Sequence, residues 1–248
     1  MDHQFLQTVR EAEVDSILQF LPKTAKILEI GSGAGWQASR LSSKGYDVIG
    51  IDIEQVSELS YNYKNERIHE VIIYDGYTIP FDNETFDVIF TSSVLEHIPH
   101  LKEFQQEMRR VLKNSGICIH LVPSPAWRFW SIVTYYLVRF RNFFIKQPKI
   151  DQAMTRAVGE VPPLWKRFII RRHGERGNVL TEFYLYSRST WKSLFLSTGW
   201  KIRKATSGNF FFTGEMFLAQ KLSIEDRRKI SKFLGSYCYI FILEKNNV

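Results

Sequence analysis

Three acidic side chains accompany three apolar runs in the first third of this 248-residue chain. Glu29 lies in Ile-Leu-Glu-Ile, Asp52 ends Val-Ile-Gly-Ile-Asp, and Asp75 follows Val-Ile-Ile-Tyr. An ionised carboxylate accepts hydrogen bonds and donates none, so it suits the hydroxyl, amino and ammonium groups of a ligand. Successive acids are about twenty residues apart, the length of a strand-helix-strand unit that places such acids beside a ligand. The pattern indicates binding of a polar ligand at strand ends.

A glycine turn follows the first run, with Gly31, Gly33 and Gly35 on alternate positions of Glu-Ile-Gly-Ser-Gly-Ala-Gly. Glycine adopts backbone angles that a Cβ forbids, so the chain turns sharply and a ligand can lie against main-chain N–H groups. The N-terminus of the helix that should follow is directed at the same place. Nicotinamide, flavin and S-adenosylmethionine sites all use such a turn, so it alone leaves the cofactor open.

Strands and helices should alternate along most of the chain. Short connecting loops between them favour a parallel sheet covered on both faces, with ligands at the carboxyl ends of the strands. Predicted strands lie at 26–30, 47–51, 68–74, 86–91, 116–122, 200–205 and 237–244. Predicted helices lie at 4–21, 35–43, 55–64, 101–112 and 189–198.

Two later motifs narrow the choice of cofactor. They are Phe-Asp-Val-Ile at 86–89 and Leu-Glu-His-Ile at 95–98. With the glycine turn, Asp52 and Asp75-Gly76 before them, the chain resembles class I S-adenosylmethionine-dependent methyltransferases, within the broad group that includes quinone-biosynthesis C-methyltransferases. The resemblance is close over 25–123 and looser over 187–245. It implies an α/β, Rossmann-like, doubly wound sheet of seven strands, mostly parallel with the last strand antiparallel.

The resemblance also implies S-adenosyl-L-methionine as cofactor and assigns its contacts. Glu29 and the backbone of the glycine turn would hold the methionine part, and Asp52 would accept both ribose hydroxyls. Asp75 would accept from the adenine amino group, beside the Gly76 backbone. The turn at Ser92 would pass close to the sulfonium.

The family pattern is interrupted between two parts of the core, 1–123 and 187–248. The insertion at 124–186 carries the basic excess, because 126–180 holds 11 Lys or Arg against 3 Asp or Glu while the rest of the chain holds 22 against 23. Residues 127–146 within it form an amphipathic helical pattern. Phe129, Tyr136 and Phe140 are among the residues of its aromatic side, and Arg128 and Arg139 lie on its basic side.

Three interpretations of this helix remain open. A helix with a basic face and a bulky aromatic face suits a membrane interface. It also suits a lid whose aromatic face packs on the core. Nucleic-acid binding is less favoured, because the aromatic residues are not interleaved with the basic ones.

Methyl transfer needs alignment of a nucleophile with an activated methyl group rather than a fixed catalytic triad. A general base is needed for a hydroxyl or an acidic carbon, and the candidates are His173 and His97, followed by His100. Glu96-His97 has a structural interpretation as well. Along the sequence, no group of His, Cys, Asp or Glu has metal-ligand spacing, so no metal is expected.

The cysteines and the apolar runs of the sequence indicate the cellular compartment. Cys118 and Cys238 lie in apolar runs and are expected to be reduced core thiols. Neither a signal peptide nor a membrane-spanning run is recognised, so we expect a cytoplasmic protein with peripheral membrane contact through 127–146. The predicted acceptor is a small, hydrophobic or lipid-linked molecule. The alternatives are a non-catalytic, membrane-docked binding protein of this fold and an RNA methyltransferase.

Overall fold

Short apolar runs form strands and the amphipathic stretches between them form helices, as the residue periods favour. The computed structural model describes residues 3–54, 67–144, 169–214, 218–219 and 221–246. The strands are β1 Lys26–Ile30, β2 Asp47–Ile53, β3 Val71–Tyr74, β4 Phe86–Ser92, β5 Leu112–Pro123, β6 Trp200–Ser207 and β7 Cys238–Lys245. The helices are α1 His3–Ile17, α2 Trp36–Ser42, α3 Leu101–Val111, α4 Pro125–Phe144, α5 Thr181–Leu185, α6 Arg188–Ser197 and α7 Ile224–Leu234.

The described strands form one seven-stranded sheet in the order β3-β2-β1-β4-β5-β7-β6. Strands β1 to β5 pair in parallel, and β7 lies antiparallel between β5 and β6. The predicted fold class is confirmed, including the antiparallel last strand. The predicted helix at 55–64 lies outside the described residues.

The strand register brings the sequence motifs to one edge of the sheet. Ile30 pairs with Ile51 on one side and with Thr91 on the other, and Ile53 pairs with Tyr74. Each of these positions is next to a predicted ligand contact, so the glycine turn, Asp52, Asp75 and Ser92 meet at the carboxyl ends of the strands.

Strand β5 begins earlier than the predicted strand at 116–122. Leu112 already pairs with Phe86, and the pairing shifts register before Ile117 meets Val88. The segment 113–116, between the predicted helix at 101–112 and the predicted strand, is therefore an irregular part of β5. Asn114 and Gly116 indicate a bend there. Such residues do not distinguish a loop between elements from a β-bulge within a strand.

Helix α4 turns its polar side toward the protein. Arg128, Ser131 and Thr134 are buried, whereas Phe129 is 49% and Phe140 is 64% exposed. Ser131 Oγ accepts a 2.9 Å hydrogen bond from the Gly214 backbone, so a partner compensates its burial. This orientation differs from that of a lid whose aromatic face packs on the core.

Cys118 and Cys238 are both free and buried, as expected of reduced core thiols. Of the helices in the described part of the chain, none combines the length and the apolar character needed to span a bilayer.

Candidate functional site

The glycine turn takes the left-handed angles that its residues predict. Gly31 has a φ of 76° and Gly33 a φ of 55°. A Cβ on Gly31 would lie 2.3 Å from Cγ2 of Val94, so this position excludes any side chain. A Cβ on Gly33 would have no neighbour within 4 Å. The turn thus packs tightly at Gly31 and leaves open space at Gly33.

Asp52 is buried at the end of β2 and faces the glycine turn. Its Oδ2 accepts a 2.7 Å hydrogen bond from the Gly33 backbone, and its Oδ1 accepts one of 2.8 Å from the Ile53 backbone. An ionised carboxylate accepts hydrogen bonds and donates none, which suits the hydroxyl groups of a ligand. The arrangement holds the carboxylate rigidly beside the turn.

Asp75 and Gly76 form an exposed turn after β3. Oδ1 of Asp75 accepts hydrogen bonds of 2.8 Å from the backbone N–H groups of Tyr77 and Thr78, and these bonds lower the pKa of the carboxyl. His100 Nε2 lies 3.0 Å from the Gly76 carbonyl oxygen. The Tyr77 and His100 rings stack at 4.2 Å, which fixes one wall of the site.

A cavity of about 690 Å³ joins these elements. Asp52 and Asp75 lie on its wall, together with apolar side chains to which the sequence motifs gave no binding role. These residues follow or flank the acidic positions, and that adjacency is the signal that could have found them. They are Ile53, Ile73, Tyr77, Val94 and Ile98.

Glu29 lies in β1, just before the turn. Among the described residues it lines neither this cavity nor a second, smaller cavity at Gly31 and Gly33. Its Oε2 accepts a 2.6 Å hydrogen bond from Ser32 Oγ. Burial raises the pKa of Glu29 to about 7, although the Ser32 hydrogen bond opposes the rise. Its contact with the methionine part stays a prediction.

Ser92 faces helix α1 rather than the large cavity. Its Oγ donates to Oε2 of Glu13 over 2.9 Å and accepts from Arg10 over 3.1 Å. Glu13 also accepts a 2.8 Å bond from Gln37 and a 2.5 Å bond from the Tyr237 hydroxyl. Sequence analysis missed this buried centre, because its partners come from distant parts of the chain.

Helix α1 covers the glycine turn. Leu6 and Arg10 line a second cavity of about 170 Å³ with Gly31, Gly33 and Ser92. The buried side chains of Phe5 and Val9 lie in the hydrophobic core, so α1 both packs on the core and closes the site.

The structure brings both predicted catalytic histidines to Glu96. Nε2 of His173 lies 3.9 Å from Oε1 of Glu96, and Nε2 of His97 lies 4.0 Å from the same oxygen. Burial raises the pKa of Glu96 to about 7 and lowers that of His173 to about 3. The pKa of His97 is also lowered by burial. So low a pKa makes His173 a weak base at neutral pH, and both catalytic roles stay predictions.

A buried ion pair positions the segment that carries His173. Nε of Arg128 lies 2.7 Å from Oε2 of Glu182, without hydrogen-bond geometry. Oε1 of Glu182 accepts from the backbone of His173 over 2.5 Å and of Gly174 over 2.9 Å. Arg128 also donates to the Arg171 carbonyl over 2.8 Å. Helix α4 and helix α5 therefore hold this segment against Glu96 together.

The polar and apolar groups around this site suit a cofactor that contains a nucleoside and a charged tail. Asp52 supplies acceptors for hydroxyl groups, apolar side chains around Asp75 supply a slot for a flat ring, and the open space at Gly33 admits a ligand against the backbone. The individual contacts that the resemblance assigned to S-adenosylmethionine stay predictions.

Comparisons with known proteins point the same way. A methyltransferase domain family model matches residues 28–120. The biotin biosynthesis bifunctional protein BioHC of Cellvibrio japonicus is 28% identical over 57% of this chain and 29% of its own length. A ubiquinone biosynthesis O-methyltransferase of Bradyrhizobium diazoefficiens is 27% identical over 43% of each protein. The chain thus spans less than half of these relatives.

The fold has counterparts among solved structures. A SAM-dependent methyltransferase from Archaeoglobus fulgidus superposes with a TM-score of 0.57 at 17% identity, over 96% of this chain and 94% of that chain. At this identity the likeness concerns the fold.

Proposed function

Because the chain belongs to the class I S-adenosylmethionine-dependent methyltransferases, we propose that it transfers the cofactor's methyl group to a small, hydrophobic acceptor. The family and cofactor predicted from the sequence are confirmed by the matching methyltransferase model. The fold is also that of a solved methyltransferase. The acceptor class and the roles of individual residues are part of the proposal.

The buried Asp52 carboxylate carries the assignment of the cofactor site. It is fixed by the Gly33 backbone and lines the same cavity as Asp75. Asp52 binds the ribose hydroxyls, and Asp75 with the Tyr77 ring binds the adenine. Glu29 and the glycine turn bind the methionine part, and α1 covers it through Arg10.

S-adenosylmethionine supplies a methyl group already activated by the positive sulfonium. The chain's own contribution is to hold the acceptor in line and to exclude water. The strained turn at Ser93, whose φ is 55°, lies on the cavity wall beside Val94. His97 also lines this cavity, and we place the approach of the acceptor there.

A hydrophobic acceptor is supported by the surface of α4. Its exposed face carries Phe129, Tyr136, Leu137 and Phe140, the last 64% exposed. Apolar side chains concentrated on one exposed helix face are typical of binding surfaces. The name of the Bradyrhizobium relative refers to ubiquinone biosynthesis, which is consistent with such an acceptor. A lipid-linked acceptor would use this face for peripheral membrane contact, with Arg141 beside it.

Calorimetric titration of the purified chain with S-adenosylhomocysteine tests the enzyme proposal. We expect saturable binding of one molecule per chain. Absence of binding at millimolar ligand would contradict the proposal and favour the non-catalytic alternative, which the comparisons do not favour.

Sedimentation with liposomes tests the acceptor class separately. Leu137→Ser with Phe140→Ser should reduce binding to neutral and anionic vesicles, because both side chains are exposed on α4. Leu196→Ser is a matched control, since Leu196 is an exposed apolar residue of α6. Binding to RNA that weakens steeply with salt, without binding to neutral vesicles, would instead support an RNA acceptor.

A further inference from the structure

We propose that Glu96, His97 and His173 bind one divalent transition-metal ion of the Zn²⁺ type. One ligand atom from each residue lies within 4.8 Å of the other two. The sequence spacing gave no sign of this group, because His173 reaches the site from a distant segment. The proposal is independent of the acceptor and concerns a site that the methyltransferase reading does not require.

The distances are close to those of a metal centre. Zn²⁺ binds imidazole nitrogen and carboxylate oxygen at about 2.0–2.2 Å, so tetrahedral ligand atoms lie roughly 3.3–3.5 Å apart. Nε2 of His173 and Nε2 of His97 lie 3.9 Å and 4.0 Å from Oε1 of Glu96. Closing these two gaps needs movements of roughly half an ångström. The ligand atoms of the two histidines lie within 4.8 Å of one another, so their gap closes by at most about 1.5 Å.

Glu96 lacks the partner that a buried carboxylate requires. Its side chain is 1% exposed, and neither oxygen has a hydrogen-bond partner in another described residue. An unpaired buried carboxylate is costly, and such groups in proteins are normally paired or bind a metal. Arg10 and Arg176 act on its charge, but neither forms an ion pair with it within the described part of the chain.

The donor set selects the class of ion. Two imidazoles and one carboxylate suit Zn²⁺ and related transition ions, whereas Mg²⁺ prefers oxygen ligands. Three protein ligands leave an open coordination position, as in catalytic metal sites. His97 also lines the large cavity, so the ion would lie at its border.

Metal binding would join two parts of the molecule. Glu96 and His97 belong to the 3₁₀ turn Leu95–His97 after β4, and His173 belongs to the segment held by Glu182. A bound ion would fix that segment over the core. We therefore expect Zn²⁺ to raise the thermal unfolding temperature as well as to bind.

Tag-free, full-length protein is stripped with EDTA and titrated with Zn²⁺ by calorimetry and with Co²⁺ by visible absorption. We expect one Zn²⁺ per chain and a Co²⁺ ligand-field band. Glu96→Gln and His173→Asn should each weaken Zn²⁺ binding by at least about 100-fold, since loss of a ligand exceeds the effect of losing its supporting contact. His69→Asn, a half-buried histidine that contacts the Val48 carbonyl, should bind as wild type.

Absence of stoichiometric binding would overturn the proposal. Unchanged Zn²⁺ affinity in His173→Asn, or an equal loss in His69→Asn, would also overturn it. Binding of S-adenosylhomocysteine by the same samples reports whether each variant is folded. If Glu96→Gln does not fold, His173→Asn decides the question. Because the two ligands are titrated separately, failure of the metal site is distinct from failure of the cofactor site.

Discussion

The Gly33 backbone N–H donates to Oδ2 of Asp52 over 2.7 Å, which joins the glycine turn to the end of the neighbouring strand. The two motifs are separate in sequence, and this bond makes them one site. The carboxylate is thereby oriented before any ligand arrives, so no ordering cost falls on ligand binding.

Asp52→Ala should weaken binding of S-adenosylhomocysteine by about 1–3 kcal/mol, or roughly 5- to 150-fold, because hydrogen bonds to a charged acceptor are lost. Calorimetric titration measures the change. Asp47→Ala is the control, since Asp47 is exposed at the opposite end of the same strand. Unchanged affinity in Asp52→Ala would remove the ribose assignment.

Gly33→Ala should reduce affinity for S-adenosylhomocysteine at least about tenfold while the protein still folds, because the Cβ enters the space left for ligand against the backbone. Gly45→Ala is a matched control. Both glycines have positive φ, and a Cβ at either meets no atom within 4 Å, but Gly45 lies in a turn remote from the site. Equal affinity in the two variants would argue against ligand binding at the Gly33 backbone.

The pH dependence of cofactor binding tests Glu29. Burial raises its pKa to about 7, so the free protein holds a proton there at pH 6. The proposed pairing with the cofactor's ammonium group requires the ionised carboxylate. Affinity for S-adenosylhomocysteine should therefore rise between pH 6 and pH 7, by at most about tenfold per pH unit. Above pH 7 the affinity should level off.

The same titrations on Glu29→Gln should show a flatter pH profile, because the titrating group is gone. Calorimetry in two buffers of different ionisation enthalpy reports the released proton directly. A wild-type affinity that stays constant from pH 6 to pH 8, without proton release, would contradict the role given to Glu29.

Arg128→Met should destabilise the protein by about 3–5 kcal/mol, because it leaves the buried Glu182 charge without its cation. Urea unfolding measures the loss. Adding Glu182→Gln should recover part of it, since the amide oxygen still accepts from the backbone of His173.

Lys229→Ala provides the comparison for that pair, because Lys229 forms a 2.9 Å ion pair with Glu225 on the exposed side of α7. Such exposed pairs contribute little to stability, because solvent and salt screen them. If Arg128→Met cost no more than Lys229→Ala, the Arg128–Glu182 pair would not anchor the segment.

Helix α4 shows the limit of what periodicity can decide. The 3.6-residue period correctly separates an aromatic side from a polar side, because it depends only on helix geometry. It does not say which side faces the protein. The structure buries Arg128, since Glu182 from α5 compensates its charge, and leaves Phe140 exposed.

The sequence by itself determined the sheet, the glycine turn and the acids at its edge. Those features follow from local rules, namely the period of apolar residues, the angles open to glycine, and the spacing of one strand-helix-strand unit. Only the tertiary structure decided that Glu13 joins α1 to Tyr237, and that His173 meets Glu96. Contacts between distant segments depend on how buried charges find partners once the chain is packed, and no local pattern records that outcome.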